Sequence, residues 1–153
     1  MPKESAGLLL YRQHGGVTEV FLVHPGGPFW KKKNEGAWTI PKGEPNASED
    51  KLATAIREFA EETGTTLAGD FRALPAIRQA GGKWVYAFAI EGDLDPATLV
   101  SNEFEMEWPP RSGRRTRFPE VDRGGWFALD AARRTINKGQ AALLDALAAL
   151  LAR

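Results

Sequence analysis

The sequence contains no cysteine and only two histidines, His14 and His24. Disulfides, thiol catalysis and cysteine-ligated zinc are excluded, and a histidine-rich metal site has too few ligands. Any metal must be held by oxygen. An excess of either charge is also missing, since 20 Lys and Arg balance 20 Asp and Glu. With no global field to steer the chain onto nucleic acid or an anionic membrane, a charged ligand has to be met by local patches. Long apolar runs are absent as well. None approaches the roughly 20 residues of a membrane span, and "MPKESAGLLLYR" has no apolar stretch ahead of a cleavage site. A soluble, cytoplasmic protein without membrane contact is expected. The 153 residues are 42% apolar, enough for residues 1–153 to form a single domain around its own core.

What is present begins with two aliphatic runs, "SAGLLLYR" and "TEVFLVH", separated by "QHGG", which predict a hairpin over about Ser5 to His24. A Gly- and Lys-rich loop, "PGGPFWKKKNEG", leads to a short strand at Trp38 to Ile40 stopped by Pro41. From about Ala47 to Thr63 the residues Leu52, Ala55, Ile56 and Phe59 recur at helical spacing, and Gly64 supplies a stop. "FRALPAIRQ" and "KWVYAFAIEG" around "AGG" read as a second hairpin, followed by a strand near Thr98 to Glu107. The insertion "WPPRSGRRTRFP" interrupts the pattern; Asp130 then suits the cap of a short helix, and "GQAALLDALAALLAR" reads as a terminal amphipathic helix. Strands and helices in this order predict an α/β/α sandwich, its mixed or largely antiparallel sheet covered on both faces.

Because net charge is zero, its position is informative. "GEPNASEDKLATAIREFAEETG", Gly43 to Gly64, holds six carboxylates. Glu58, Glu61 and Glu62 stand at i, i+3 and i+4, within roughly a 100° arc that borders the apolar stripe. Like charges so spaced repel, so something positive should offset them. A solvated face with Lys51 and Arg57 as partners is one answer. A divalent cation is another, since magnesium takes carboxylate and water oxygens and bridges them to phosphates.

The spacing Gly43, five residues, Glu49, seven residues, Arg57-Glu58, Phe59, one residue, Glu61-Glu62, one residue, Gly64 resembles the signature of the Nudix hydrolases. The one departure is Thr65, where an aliphatic residue is usual. The resemblance implies a Nudix-type sandwich and a metal-dependent pyrophosphohydrolase, with Mg2+ or Mn2+ as cofactor. Carried over by position, Glu58 and Glu62 would be metal ligands, and Glu61 a further ligand or the base for the attacking water. Arg57 would steady the glutamates. Lys42 would lend its backbone carbonyl to the metal and its ammonium to a phosphate. Asn46 suits a helix N-cap with Glu49 three residues on, as in a capping box, so Glu49 is read as structural and outside the catalytic set.

Beyond the helix, Glu120 lies six residues before Trp126 in "PEVDRGGWFAL", resembling the ending of the asymmetric diadenosine tetraphosphate hydrolases, where that glutamate faces the metals. Pairing with Arg117 or Arg123 is the alternative. Glu103, Glu105 and Glu107 alternate along one strand face and read as solvated. Lys83 stands where the same relatives carry a phosphate-contacting lysine. In the insertion, Arg111, Arg114, Arg115 and Arg117 beside Trp108 and Phe118 suit polyphosphate and a stacked base, or RNA; Trp108 and Arg115 are assigned to substrate. "WTIPKG" resembles the triphosphate and dinucleoside polyphosphate branches. The expected partner is thus a nucleoside or dinucleoside polyphosphate. The alternatives are an RNA 5′ end, bearing a cap or triphosphate, and a nucleotide sensor without turnover. Oligomeric state is left open.

Overall fold

The structure, a computed structural model, describes residues 3–153; Met1 and Pro2, the start of the stretch read for a leader, lie outside the described residues. In chain order it comprises β1 (Glu4–His14), β2 (Val17–Pro25), β3 (Lys42–Gly43), α1 (Lys51–Thr63), β4 (Arg72–Ala73), β5 (Ile77–Arg78) and β6 (Trp84–Glu91). A 3-10 turn (Pro96–Thr98), β7 (Glu103–Glu107), β8 (Arg115–Pro119), β9 (Val121–Ala128), α2 (Leu129–Thr135), a second 3-10 turn (Lys138–Gln140) and α3 (Ala141–Leu151) follow.

β1 and β2 form the expected hairpin. Gly15 and Gly16 at its tip have φ of 60° and 79°, the left-handed pair that a two-residue turn needs. The main sheet runs β4-β6-β1-β2-β9, and among the described strands only the β1–β6 pairing is parallel. β1 meets β2 over Tyr11–His14 alone, and β3 pairs with β1 at Ala6 and Gly7. That approach is close: a Cβ on Gly7 would fall 2.5 Å from the Pro41 carbonyl oxygen and 2.7 Å from Lys42 Cβ. Gly7 thereby seats Lys42 and Gly43 in the sheet.

Alternation along β1 explains why "LLLY" is apolar without a break. Leu8 and Leu10 pack with Phe21, Val23, Ala55 and Phe59 against α1. Leu9 and Tyr11 pack with Leu22, Trp38, Ile40 and the Leu143, Leu144 and Leu147 stripe of α3. The two cores make the α/β/α sandwich with a mixed sheet. Burying an aliphatic side chain of this size stabilises by about 1.5–3 kcal/mol, so β1 contributes to both layers at once.

Several local expectations need correction. α1 begins at Lys51 rather than Ala47, because Ser48 takes a φ of 64° and Asp50 is the residue that caps, its carboxylate accepting from the Ala53 amide at 2.7 Å. Asn46 caps nothing. Trp38 and Thr39 make only isolated bridges, to Ile136 and Val23, and the paired strand falls beyond Pro41. The second half of the insertion is strand: β8 pairs with β7 in a separate two-stranded arm. Ala128, not Asp130, precedes α2, without a side-chain cap, and Asp130 lies in its first turn. Among the described residues no helix is long and apolar enough to cross a membrane.

Candidate active site

α1 presents its acidic side to a cavity of about 410 Å³. Glu58, Glu61 and Glu62 of the helix line it, together with Lys42, Gly43 and Glu44 from β3 and the turn after it. Lys83, Asn102 and Glu120 complete the wall. Six of the residues singled out from the sequence, Lys42, Glu58, Glu61, Glu62, Lys83 and Glu120, therefore meet at one place.

Long-range backbone bonds account for the meeting. The last carbonyls of α1, unsatisfied within the helix, accept from the following loop: Val100 N–H donates to Thr63 O at 3.0 Å and Asn102 N–H to Glu61 O at 2.8 Å. Asn102 O then accepts from the Glu120 amide at 2.8 Å, which delivers Glu120 to the acidic face. Gly64, with φ of 82° and its N–H on Ala60 O, ends the helix so that this loop can reach it. Gly43 permits the approach of β3: a Cβ there would lie 2.1–2.5 Å from the Glu58 carboxylate.

Arg57 organises the carboxylates. Its Nε donates to Glu49 Oε2 at 2.9 Å and its Nη2 to Glu49 Oε1 at 3.0 Å, a bidentate grip. Nη1 donates to Glu58 Oε2 and to Glu61 Oε2, both at 2.8 Å, and Nη2 also reaches the Glu44 carbonyl at 3.0 Å. Glu49 accepts in addition from the Asn46 amide at 3.0 Å and the Thr54 hydroxyl at 2.8 Å. Its carboxyl is held down to about 2 by Arg57 and then by the Asn46 N–H. The expectation of a helix-capping role is thus corrected: Glu49 anchors the arginine that positions Glu58 and Glu61.

Deeper in, burial raises the carboxyls. Glu62 is pushed up to about 9 by burial and then by the Glu58 charge, with Lys42 opposing. Burial, then Glu61, raises Glu58 against the pull of Arg57. Glu120 is raised by the same two causes. Burial, then Lys83, lowers Lys42. These shifts describe a pocket with more negative charge than its two ammonium groups comfortably offset. The donor set is carboxylate oxygen with room for water, as a hard divalent cation requires, so the residues fit the metal that the sequence implied. Among the described residues no three His, Asp or Glu side chains are already drawn into a cage; Arg57 holds Glu58 and Glu61.

Two assigned residues lie elsewhere. Arg115 sits on the arm with its Nε 2.9 Å from Glu105, an exposed cross-strand pair, and Arg117 is 3.2 Å from Glu103. Trp108 lines a different cavity with Phe118. The face of Glu103, Glu105 and Glu107 is accordingly paired across the arm, Glu107 accepting from the Gly113 amide at 3.0 Å. Sequence reasoning missed Glu44 and Asn102. Glu44 follows the motif glycine and was open to inference; Asn102 has no local signal, because a backbone contact to α1 places it.

The NUDIX domain model matches residues 1–147. The mRNA-decapping protein g5R of African swine fever virus (isolate Pig/Kenya/KEN-50/1950) is 32% identical over 118 residues, which are 71% of this chain and 43% of that protein. A nucleoside triphosphate pyrophosphatase/Nudix hydrolase fusion protein of Bifidobacterium longum is 30% identical over 114 residues, 69% of this chain and 23% of that one. The chain spans less than half the length of these curated relatives. In fold, a binary complex of C. elegans Ap4A hydrolase superposes with a TM-score of 0.67 at 21% identity, over 97% of this chain and 98% of that one. The NUDIX domain of Shewanella oneidensis NrtR, complexed with ADP ribose, gives 0.69 at 17% identity, over 99% and 89%. With the motif helix set against a mixed sheet and the domain model matched along nearly its whole length, the chain belongs to the Nudix hydrolase family.

Proposed function

We propose that the chain is a pyrophosphohydrolase that cleaves a diphosphate linkage in a nucleoside polyphosphate or dinucleoside polyphosphate, with Mg2+ or Mn2+ as cofactor. One observation carries the reading: Glu58, Glu61, Glu62 and Glu120 line a single cavity with Lys42 and Lys83. The four carboxylates, with the Lys42 carbonyl, would hold the metal. When bound, the cation neutralises pyrophosphate charge and lowers the pKa of water. Lys42 and Lys83 bind phosphate oxygens. Glu61, more exposed than Glu58, either joins the ligands or takes the proton of the attacking water. Arg57 keeps Glu58 and Glu61 in place through Glu49.

A second reading, removal of an RNA 5′ cap or triphosphate, draws on the viral relative named for decapping. It gains less from the arm, where Arg115 and Arg117 are engaged by glutamates. A sensor without turnover has no need of Arg57, Glu58, Glu61 and Glu62 together.

The test is incubation of purified protein with Mg2+ and a panel of nucleoside triphosphates, dinucleoside polyphosphates and capped RNA, with products identified by chromatography. Release of a nucleotide from the small substrates, abolished by chelator, is expected. Turnover of capped RNA alone would move the assignment to the second reading, and no turnover of any would sink the hydrolase reading.

A further inference from the structure

A second cavity, of about 440 Å³, shares the segment 118–122 with the acidic one: Glu120 lines the acidic cavity, while Phe118, Pro119 and Asp122 line this one. Gly27, Pro28 and Lys31 of the loop after β2 form the facing wall, and Trp108 of the arm closes it. Phe29 meets Trp108 edge-on, ring centroids 5.9 Å apart at 75°, yet stays 63% exposed. Phe118 is backed by Phe104 at 6.0 Å.

Two of the walls are tied together. His24 is fully buried, with Nδ1 2.8 Å from Asp122 Oδ1 and Nε2 2.6 Å from the Lys33 carbonyl oxygen, so one side chain ties the loop to the start of β9. The Gly26 amide donates to Glu120 O at 2.9 Å and binds the same two segments again. These bonds hold the loop wall against the wall formed by the start of β9.

Its chemistry is selective. The aromatic side chains of Trp108 and Phe118 line it together with one carboxylate, Asp122, and one ammonium, Lys31. A flat heteroaromatic ring with donors and acceptors on its edge uses all of that combination, whereas a phosphate would leave the aromatic side chains unused and an aliphatic chain would leave Asp122 and Lys31 unused. Glu120 of the acidic cavity stands between Pro119 and Asp122 of this one in the chain, which makes this the neighbouring cavity for a group joined to a diphosphate there. We infer that this is the base subsite: a nucleobase of the substrate stacks on Trp108, its edge met by Asp122 and Lys31. The inference rests on the proposed hydrolase reading for where the diphosphate lies.

The test uses the whole protein with Mg2+ and the non-hydrolysable α,β-methylene diphosphates of adenosine, guanosine and N7-methylguanosine, with base-free methylenediphosphonate as control. Affinities come from calorimetry. The Trp108 indole N–H resonance, identified by its loss in Trp108→Phe, reports on stacking. The nucleoside analogues should move that resonance and methylenediphosphonate should not. Trp108→Ala should weaken the nucleoside analogues by about 10-fold and methylenediphosphonate by less than about twofold. Phe29→Ala, at an exposed position that leaves the fold intact, should act in the same direction more weakly. Preference for the N7-methylated base would mark an RNA 5′ end as its source, and equal or weaker binding a free nucleotide; stacking holds in both cases. Unchanged nucleoside affinity in Trp108→Ala, or an unmoved resonance at saturation, overturns the subsite even where hydrolysis is observed. Stacking without hydrolysis of any substrate would overturn the hydrolase reading and leave the subsite standing.

Discussion

Arg57 clamps Glu49 with two parallel hydrogen bonds, 2.9 Å from Nε and 3.0 Å from Nη2, and offers its remaining nitrogen, Nη1, to Glu58 and Glu61. Because the clamp sets where that nitrogen points, Glu49 governs the geometry of two carboxylates it does not touch. Arg57→Lys keeps the charge and loses the fork, so turnover should fall by about 10-fold or more. Glu49→Gln should cut turnover comparably and lower the melting temperature as well. Steady-state kinetics beside thermal unfolding check both, and normal turnover in Glu49→Gln would return Glu49 to a purely structural role.

The Glu49 carboxyl also sets a pH dependence. Its ordinary value of 4.5 falls to about 2 in the fold. A depressed acid contributes stability that is complete above pH 4.5 and lost as pH falls toward 2, because the unfolded chain then binds the proton first. The melting-temperature gap between wild type and Glu49→Gln should be constant above pH 4.5 and close between there and about 2. A gap that does not depend on pH would contradict the clamp.

Glu62 behaves in the opposite sense. Its folded value of about 9 exceeds the ordinary 4.5, so in metal-free protein the folded state retains a proton that the unfolded state has released. Stability should therefore fall as pH rises from about 5 to 9, and Glu62→Gln should be the more stable protein in chelator at pH 8. Mg2+ should reverse that order, while turnover of the variant drops by at least about 100-fold. Thermal melts with and without metal test the first two statements. A variant that keeps more than about a tenth of the normal rate would falsify the third.

Gly43→Ala should lower turnover by about 10-fold or more, since the new methyl would occupy the space of the Glu58 carboxylate at 2.1–2.5 Å. Glu120→Gln should lower turnover with little change in melting temperature, because its side chain lines the cavity and its backbone bonds survive. Kinetics and melts on the pair separate a steric from a ligand role. Full activity in Gly43→Ala would show that Glu58 has another productive position.

On the arm, the charges of Arg115 and Arg117 are offset by Glu105 and Glu103 beside them, so these two arginines bring little net positive charge to an RNA backbone. Affinity for a long RNA should depend shallowly on salt, and serine at Arg111, Arg114, Arg115 and Arg117 should leave that dependence unchanged. An RNA-tracking surface would instead give a log-log slope of about −0.7 for each phosphate neutralised, flattened by the quadruple change. Filter binding across a salt series distinguishes the two.

Sequence alone determined what depends on neighbours within a few turns of chain. The 22-position spacing from Gly43 to Gly64, the stripe of Leu52, Ala55, Ile56 and Phe59, and the Gly15–Gly16 turn were all legible, because helix period, strand alternation and left-handed glycine are local properties. The sandwich followed from the order of these elements. Tertiary structure decided what depends on distant atoms. Where α1 starts turned on the left-handed Ser48 and the Asp50 cap. Glu49 read as half of a capping box until Arg57 arrived from two turns along the helix. Arg115 and Arg117 of the insertion looked free because the glutamates that hold them come from the opposite strand. Asn102 and Glu120 reach the acidic face only through backbone bonds to the end of α1, and Trp108 reaches its cavity only through the arm. Cross-strand and loop-to-helix contacts leave no periodic trace, so only the folded chain shows them.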